Sequence, residues 1–174
     1  PPLTGDRDAL MKFIRESFDL RVGMRTRLWD GLLEGIKTLD GVDGRKVIFV
    51  ITDGQDTWSE RRMDDALSEA RRAGVIVYWL SLTGTGGPEP RAQIYPNAGL
   101  KAFVEETGGG YMRFDDLSEI NPIMTEVTEE LHHQYLLGFT PAVLDGQLHK
   151  LQVKLRQSNY TVRARQSYVA EESK

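Results

Sequence analysis

The sequence predicts an α/β fold: a doubly wound (Rossmann-like), mostly parallel sheet flanked by helices, with a C-terminal antiparallel β extension. Three observations predict it. The β-branched apolar run Val47–Ile51 reads as a strand covered on both faces, the pattern of a central parallel strand, and Val75–Leu82 as a second buried strand. Segments of helical periodicity lie before, between and after them, so the strands are joined by right-handed crossovers. From Tyr135 onward the apolar spacing shifts to alternation, which marks half-buried antiparallel strands.

The first helix is predicted from Leu10, Phe13, Ile14 and Phe18, with Thr4 or Asp6 as its cap. A second begins at Thr26 and carries Leu28, Leu32, Ile36 and Leu39 on one face, with Trp29 and Leu33 beside them; Gly41 and Gly44 end the pattern. After the strand through Val50, Met63, Ala66, Leu67 and Ala70 mark a third helix, stopped by Gly74. Thr83–Gly99, rich in Gly and Pro, reads as a long surface loop. Leu100, Phe103 and Val104 form a short helix before Gly108, Gly109 and Gly110, and Tyr111–Phe114 is a third strand. Ile120, Ile123, Met124, Val127 and Leu131 make the last amphipathic helix. Strands are expected over 135–139, 148–156 and 160–169, with turns at Asp145-Gly146 and Ser158-Asn159. The α/β body is assigned to residues 1–133 and the β-hairpin extension packed on it to 134–174.

At 174 residues the chain is long enough for one domain with a sizeable core. The apolar share of 40% and charged share of 28% are those of a globular protein. A net charge of −4 argues against nucleic acid as the partner. With no cysteine, disulfides, thiolate metal sites and cysteine nucleophiles are excluded. No apolar run approaches the roughly 20 residues that span a bilayer. No signal peptide is visible, and Pro1-Pro2 without a starting Met looks like the start of a cut-out segment.

Enzyme motifs are missing. Gly84-Thr85-Gly86-Gly87 lacks the Lys-Ser/Thr of a phosphate loop and is followed by Pro88, and there is no Gly-x-Ser-x-Gly elbow. Asp53 and Asp56 are a conceivable carboxylate pair, with nothing beside them to support hydrolysis. His132 and His133 are adjacent, so on a helix they cannot face one metal, and His149 lies in the tail. Lys150, Lys154, Arg156, Arg163 and Arg165 make the hairpin locally basic, which reads as a solvated face protecting an edge strand.

Four motifs occur in order. The strand through Ile51 runs into Thr52-Asp53-Gly54; Thr26-Arg27-Leu28-Trp29-Asp30-Gly31-Leu32 opens a helix; Thr107-Gly108-Gly109 precedes the third strand; Gln134–Pro141 follows the last helix. In that order they resemble the von Willebrand factor type A (vWA) family, and the tail up to Tyr168 resembles a bacterial, acidobacterial-type branch of it. The resemblance covers almost the whole chain, with one departure: the family's first-strand Asp-x-Ser-x-Ser motif is absent, its nearest echo being Asp116-Leu117-Ser118. The simplest expectation is that the sequence is the C-terminal two thirds of a vWA domain.

The resemblance implies a non-enzymatic protein-binding or adhesion module with a metal-ion-dependent site for Mg2+ or Mn2+. Thr26 and Asp53 match the family's loop threonine and fourth-strand aspartate. Two oxygens make a poor site for an ion that gives up water reluctantly, so metal binding should be weak or absent in this chain. Asp56 and Ser59 are candidates beside the site; their plainer role is capping the helix around Glu60. The partner expected is a protein offering a carboxylate to the metal, and the location secreted, periplasmic or cell-surface. The alternative is a metal-independent scaffold whose contacts run through the β extension. With its sheet neighbour missing, the Lys46–Ile51 strand should self-associate through its edge or leave the chain unstable.

Overall fold

The computed structural model describes residues 3–18, 25–52, 54–82, 98–157 and 159–170, with the backbone alone at 14, 17, 18, 82, 98 and 117. Asp53, the loop over 83–97 with its glycines and Pro88, Ser158, and the side chains of Ile14 and Phe18 therefore lie outside the described residues. Five helices are described: α1 (Arg7–Phe18), α2 (Leu28–Thr38), α3 (Met63–Ala73), α4 (Ala98–Thr107) and α5 (Ile120–His132). The strands are β1 (Val47–Thr52), β2 (Ile76–Leu82), β3 (Tyr111–Phe114), β4 (Leu148–Lys150) and β5 (Ser167–Val169).

The predicted fold class is observed. β1, β2 and β3 form a parallel sheet in that order, with Val47 opposite Ile76 and Trp79 opposite Tyr111. Strand alternation sends side chains to opposite faces, and each face has its own helices. Ile48, Val50, Val75 and Val77 pack with Leu32, Ile36, Ala66, Ala70 and Phe103 of α2, α3 and α4. Trp79 continues this face against Leu28, Leu100 and Val104. On the other side Phe49, Tyr78, Leu80 and Phe114 meet Ile123, Val127 and Leu131 of α5. Helices on both faces of a parallel sheet are the double winding that the apolar strands require.

Local chemistry explains the ends of the elements. Asp6 Oδ1 accepts the Asp8 and Ala9 N–H groups and caps α1. Gly74 ends α3 at φ 72°, a left-handed conformation that glycine adopts without penalty. Thr107, buried where β3 has not yet begun, accepts the Val77 N–H on its hydroxyl at 3.2 Å and donates to the Val104 carbonyl at 2.9 Å. Gly109 lies so close to β2 that an added Cβ would sit 1.9 Å from the Val77 carbonyl oxygen.

Three expectations are corrected. α4 begins at Ala98, inside the predicted 83–99 loop. Residues 135–139 form no strand; Tyr135 and Leu136 are 92% and 100% exposed, and alternation alone supplies no partner. The two remaining predicted strands shrink to three residues each. Their register pairs Leu148 with Val169 and Lys150 with Ser167; the turn expected at Ser158-Asn159 falls on Ser158, which lies outside the described residues.

Candidate functional site

The loops after β1 and before α2 meet at the C-terminal end of the parallel sheet, the end where open α/β sheets bind ligands. Thr26 is paired with the loop after β1 through its backbone. Its N–H donates to Thr57 Oγ1 at 2.8 Å, and its carbonyl accepts the N–H groups of Thr57 and Trp58, both at 3.0 Å. This pairing delays the helix, so α2 starts at Leu28 and not at Thr26, and Thr26 does not cap it.

The capping is supplied from across the gap. Asp56 Oδ1 accepts the Leu28 N–H at 2.8 Å and the Ser59 hydroxyl at 2.6 Å. Ser59 Oγ in turn accepts the Trp29 and Asp30 N–H groups at 3.0 and 3.3 Å. These are the first N–H groups of α2, which no helical carbonyl can satisfy. Asp56 and Ser59 therefore cap α2, a correction to the expectation that they cap the segment around Glu60. That segment is held by the reciprocal contact, in which Asp30 accepts the Glu60 and Arg61 N–H groups at 3.1 and 3.0 Å. The Glu60 N–H bond, aided by Arg61 and Arg27, keeps the Asp30 carboxyl below the usual carboxylate range despite its partial desolvation. Arg27 bridges Asp30 and Glu60 at 2.9 and 2.6 Å. At α3, Asp65 accepts the Arg62 N–H at 2.9 Å.

Asp56 and Ser59 are thus engaged in holding two loops together. The Thr26 hydroxyl has no hydrogen-bond partner among the described residues and is exposed. Asp53 lies outside the described residues, between Thr52 and Gly54 at the end of β1. Gly54, at φ 84°, turns the chain there and donates its N–H to Thr52 Oγ1. Trp58 is 52% exposed and carries the Arg25 guanidinium 3.5 Å from its ring centroid. Among the described residues no three His, Cys, Asp or Glu side chains converge as a metal-binding group.

The remaining sequence candidates have other work. Asp116 Oδ1 accepts the Ser118 N–H at 2.8 Å, and Glu119 accepts those of Asp115 and Asp116, so the Asp-Leu-Ser segment starts a helix. His133 Nδ1 lies 2.7 Å from the Glu129 carbonyl, and His149 Nε2 contacts Asp145 at 2.9 Å. The basic hairpin is solvated at Lys150, Lys154, Arg156 and Arg163, the last paired with Glu130; Arg165 alone of the five is partly buried, and that burial lowers its pKa from the ordinary value. Sequence reasoning missed the role of Asp30, because its partners lie about 30 residues away and carry no local signature.

No family model matches the chain, and no curated protein does. Among solved structures, one of similar fold is the aerotolerance-related membrane protein from Bacteroides fragilis carrying multiple mutations to serine. The two share 19% identity at a TM-score of 0.53, over 76% of this chain and 72% of that one. A membrane-spanning protein from Vibrio fischeri matches at 22% identity and a TM-score of 0.43, over 74% of this chain and 68% of that one. The first likeness is one of fold. No helix among the described residues is long and apolar enough to cross a membrane.

Proposed function

We propose that this chain is a vWA-type, non-enzymatic protein-binding module whose recognition face is the C-terminal end of the parallel sheet. The observation that carries this is the backbone pairing of Thr26 with Thr57 and Trp58. It brings the threonine loop beside the segment that follows Asp53, at the end of the sheet suited to ligands. Thr26 and Asp53 would hold Mg2+ or Mn2+ in a site that is incomplete in this chain, and a carboxylate of the protein partner would add a further ligand. Hard oxygen donors suit either ion. The ion supplies a positive point for that carboxylate; the chain's own residues orient the loops through Asp56, Ser59 and Asp30. One unpartnered hydroxyl among the described residues fits only a weak site, and the partner's carboxylate is what makes binding firm.

The test is a calorimetric titration of Mn2+ into the protein, with Asp53→Ala and Thr26→Ala alongside. Weak saturable binding, in the range of about 1 mM, that disappears in Asp53→Ala is the expected result. Binding unchanged by either substitution, or none at all in the native chain, overturns the metal-centred reading.

A second reading is a metal-independent scaffold acting through the C-terminal extension. It is favoured by the exposed Tyr135, Leu136 and Leu137, a contiguous apolar segment of the kind that marks interaction surfaces. Self-association through β1 belongs with it, since Ile51 on that strand is 57% exposed. A location outside the cytoplasm, secreted, periplasmic or at the cell surface, belongs to the same proposal and is supported by the resemblance to bacterial vWA-related proteins. Enzymatic activity forms no part of either reading.

A further inference from the structure

The two arms of the C-terminal hairpin are joined by backbone hydrogen bonds only near their base. The Leu151 N–H donates to the Gln166 carbonyl at 2.8 Å, and beyond it no backbone hydrogen bond joins the arms among the described residues. Both arms nevertheless keep a strand's alternation, with Leu151, Val153 and Leu155 on one and Tyr160, Val162 and Ala164 on the other. Between the arms and the flank of α3 and α4 lies a cleft of about 650 Å3, lined by Val153, Val162 and Ala164 among others. Backbone N–H and C=O groups left without partners on a strand-like edge are a template for another extended chain.

The charge of this cleft is one-sided. Arg71, Lys150 and Arg165 line it, against a single carboxylate, Glu106. That carboxylate is already engaged: Glu106 Oε2 accepts the Arg71 guanidinium at 2.8 Å and the Ser167 hydroxyl at 2.7 Å. Burial opposes ionisation of Glu106, but Ser167, Arg71 and Lys150 together hold its pKa below the usual value, so it stays charged and bound. The Arg71 Nε remains buried without a hydrogen bond. Arg165 forms no ion pair or hydrogen bond through its guanidinium among the described residues, and its terminal nitrogen lies near Gly74 at the end of α3. A desolvated cation beside unpaired strand arms is costly unless a carboxylate joins it.

We propose that the cleft between the open hairpin arms and α3 binds an extended, acidic peptide segment of a partner protein. The segment adds to the free rungs of the arms, its apolar side chains meet Val153, Val162 and Ala164, and its carboxylates reach Arg165 and Lys150. This deepens the reading of the C-terminal extension as a contact surface and does not involve the metal.

The test uses two fluorescein-labelled octapeptides, one alternating valine with glutamate and one alternating valine with lysine. Both are titrated by anisotropy into the protein in EDTA. The glutamate peptide is expected to bind at least about tenfold more tightly than the lysine peptide. Arg165→Gln should weaken it by about tenfold and Lys150→Gln by a few-fold, with Lys12→Gln, on exposed α1 away from the cleft, indistinguishable from the native chain. If Arg165→Gln does not fold, Lys150→Gln on the exposed face carries the comparison. Equal affinity for the two peptides, no binding up to about 1 mM, or native affinity in both Arg165→Gln and Lys150→Gln overturns the proposal. Because metal is absent throughout, failure here leaves the Mn2+ result intact, and the reverse holds as well.

Discussion

β1 and β2 are written in nearly the same chemistry and live in different places. Val47–Thr52 and Ile76–Leu82 are both short and apolar, β1 mostly β-branched and β2 carrying the aromatic pair Tyr78 and Trp79. In β2, Tyr78, Trp79 and Leu80 are 0% exposed, whereas on β1 Ile51 is 57% exposed. The cause is position: β2 has a strand on each side, and β1 has only β2 among the described residues. An apolar strand sequence therefore records what must be covered and is silent about what covers it. β1 is composed for the centre of a sheet and has one strand neighbour among the described residues, which is the physical basis for expecting it to take a further one.

Substitutions on the two strands should separate sharply. The largest effect is expected just beside β2: Gly109→Ala puts a methyl into the Val77 carbonyl, and neither backbone can yield cheaply. More than about 3 kcal/mol of stability should be lost, or no folded protein recovered. Next is Trp79→Ala, expected to cost about 3 to 5 kcal/mol in a urea titration, against roughly half that for Phe49→Ala on β1. Equal costs would mean that β1 is as well packed as β2 and would erase the contrast.

Alkaline pH gives a smaller, sharper probe of the face of β2 that packs on α5. Burial first, then the hydrogen bond to Glu130 at 3.0 Å, pushes the Tyr78 phenol up to about 12. The unfolded chain releases this proton near pH 10 and the folded one later. Stability from this group is thus complete below about pH 10 and lost as pH rises toward 12, by roughly 1 to 3 kcal/mol. Denaturant midpoints measured across that range should fall in the native protein, and Tyr78→Phe should remove most of the slope. A slope that persists in the variant would assign the effect to other groups.

Much of this was legible in the sequence because it is local. Helical spacing gave α3 and α5, Gly74 gave the end of α3, and Thr107 with Gly108 and Gly109 marked the approach to β3. What failed to show was long-range. The start of α2 moved by two residues because Thr26 pairs with Thr57, and its caps came from Asp56 and Ser59 in another loop. The alternation at 135–139 resembled a strand, but a strand needs a neighbour, and none joins it among the described residues. Arg165 read as a surface charge because composition does not reveal that Gly108 lets the tail backbone approach so closely.

The most direct test of the contrast between the strands is sedimentation velocity across a wide concentration range, on the native protein and on Ile51→Lys. Ile51 is exposed, so the substitution should cost little stability, while a lysine on an edge discourages strand pairing. The expected result is concentration-dependent association of the native chain that Ile51→Lys largely abolishes. A native chain that stays monomeric at every concentration and unfolds in one cooperative transition would contradict the account, because its β1 edge would then need no partner.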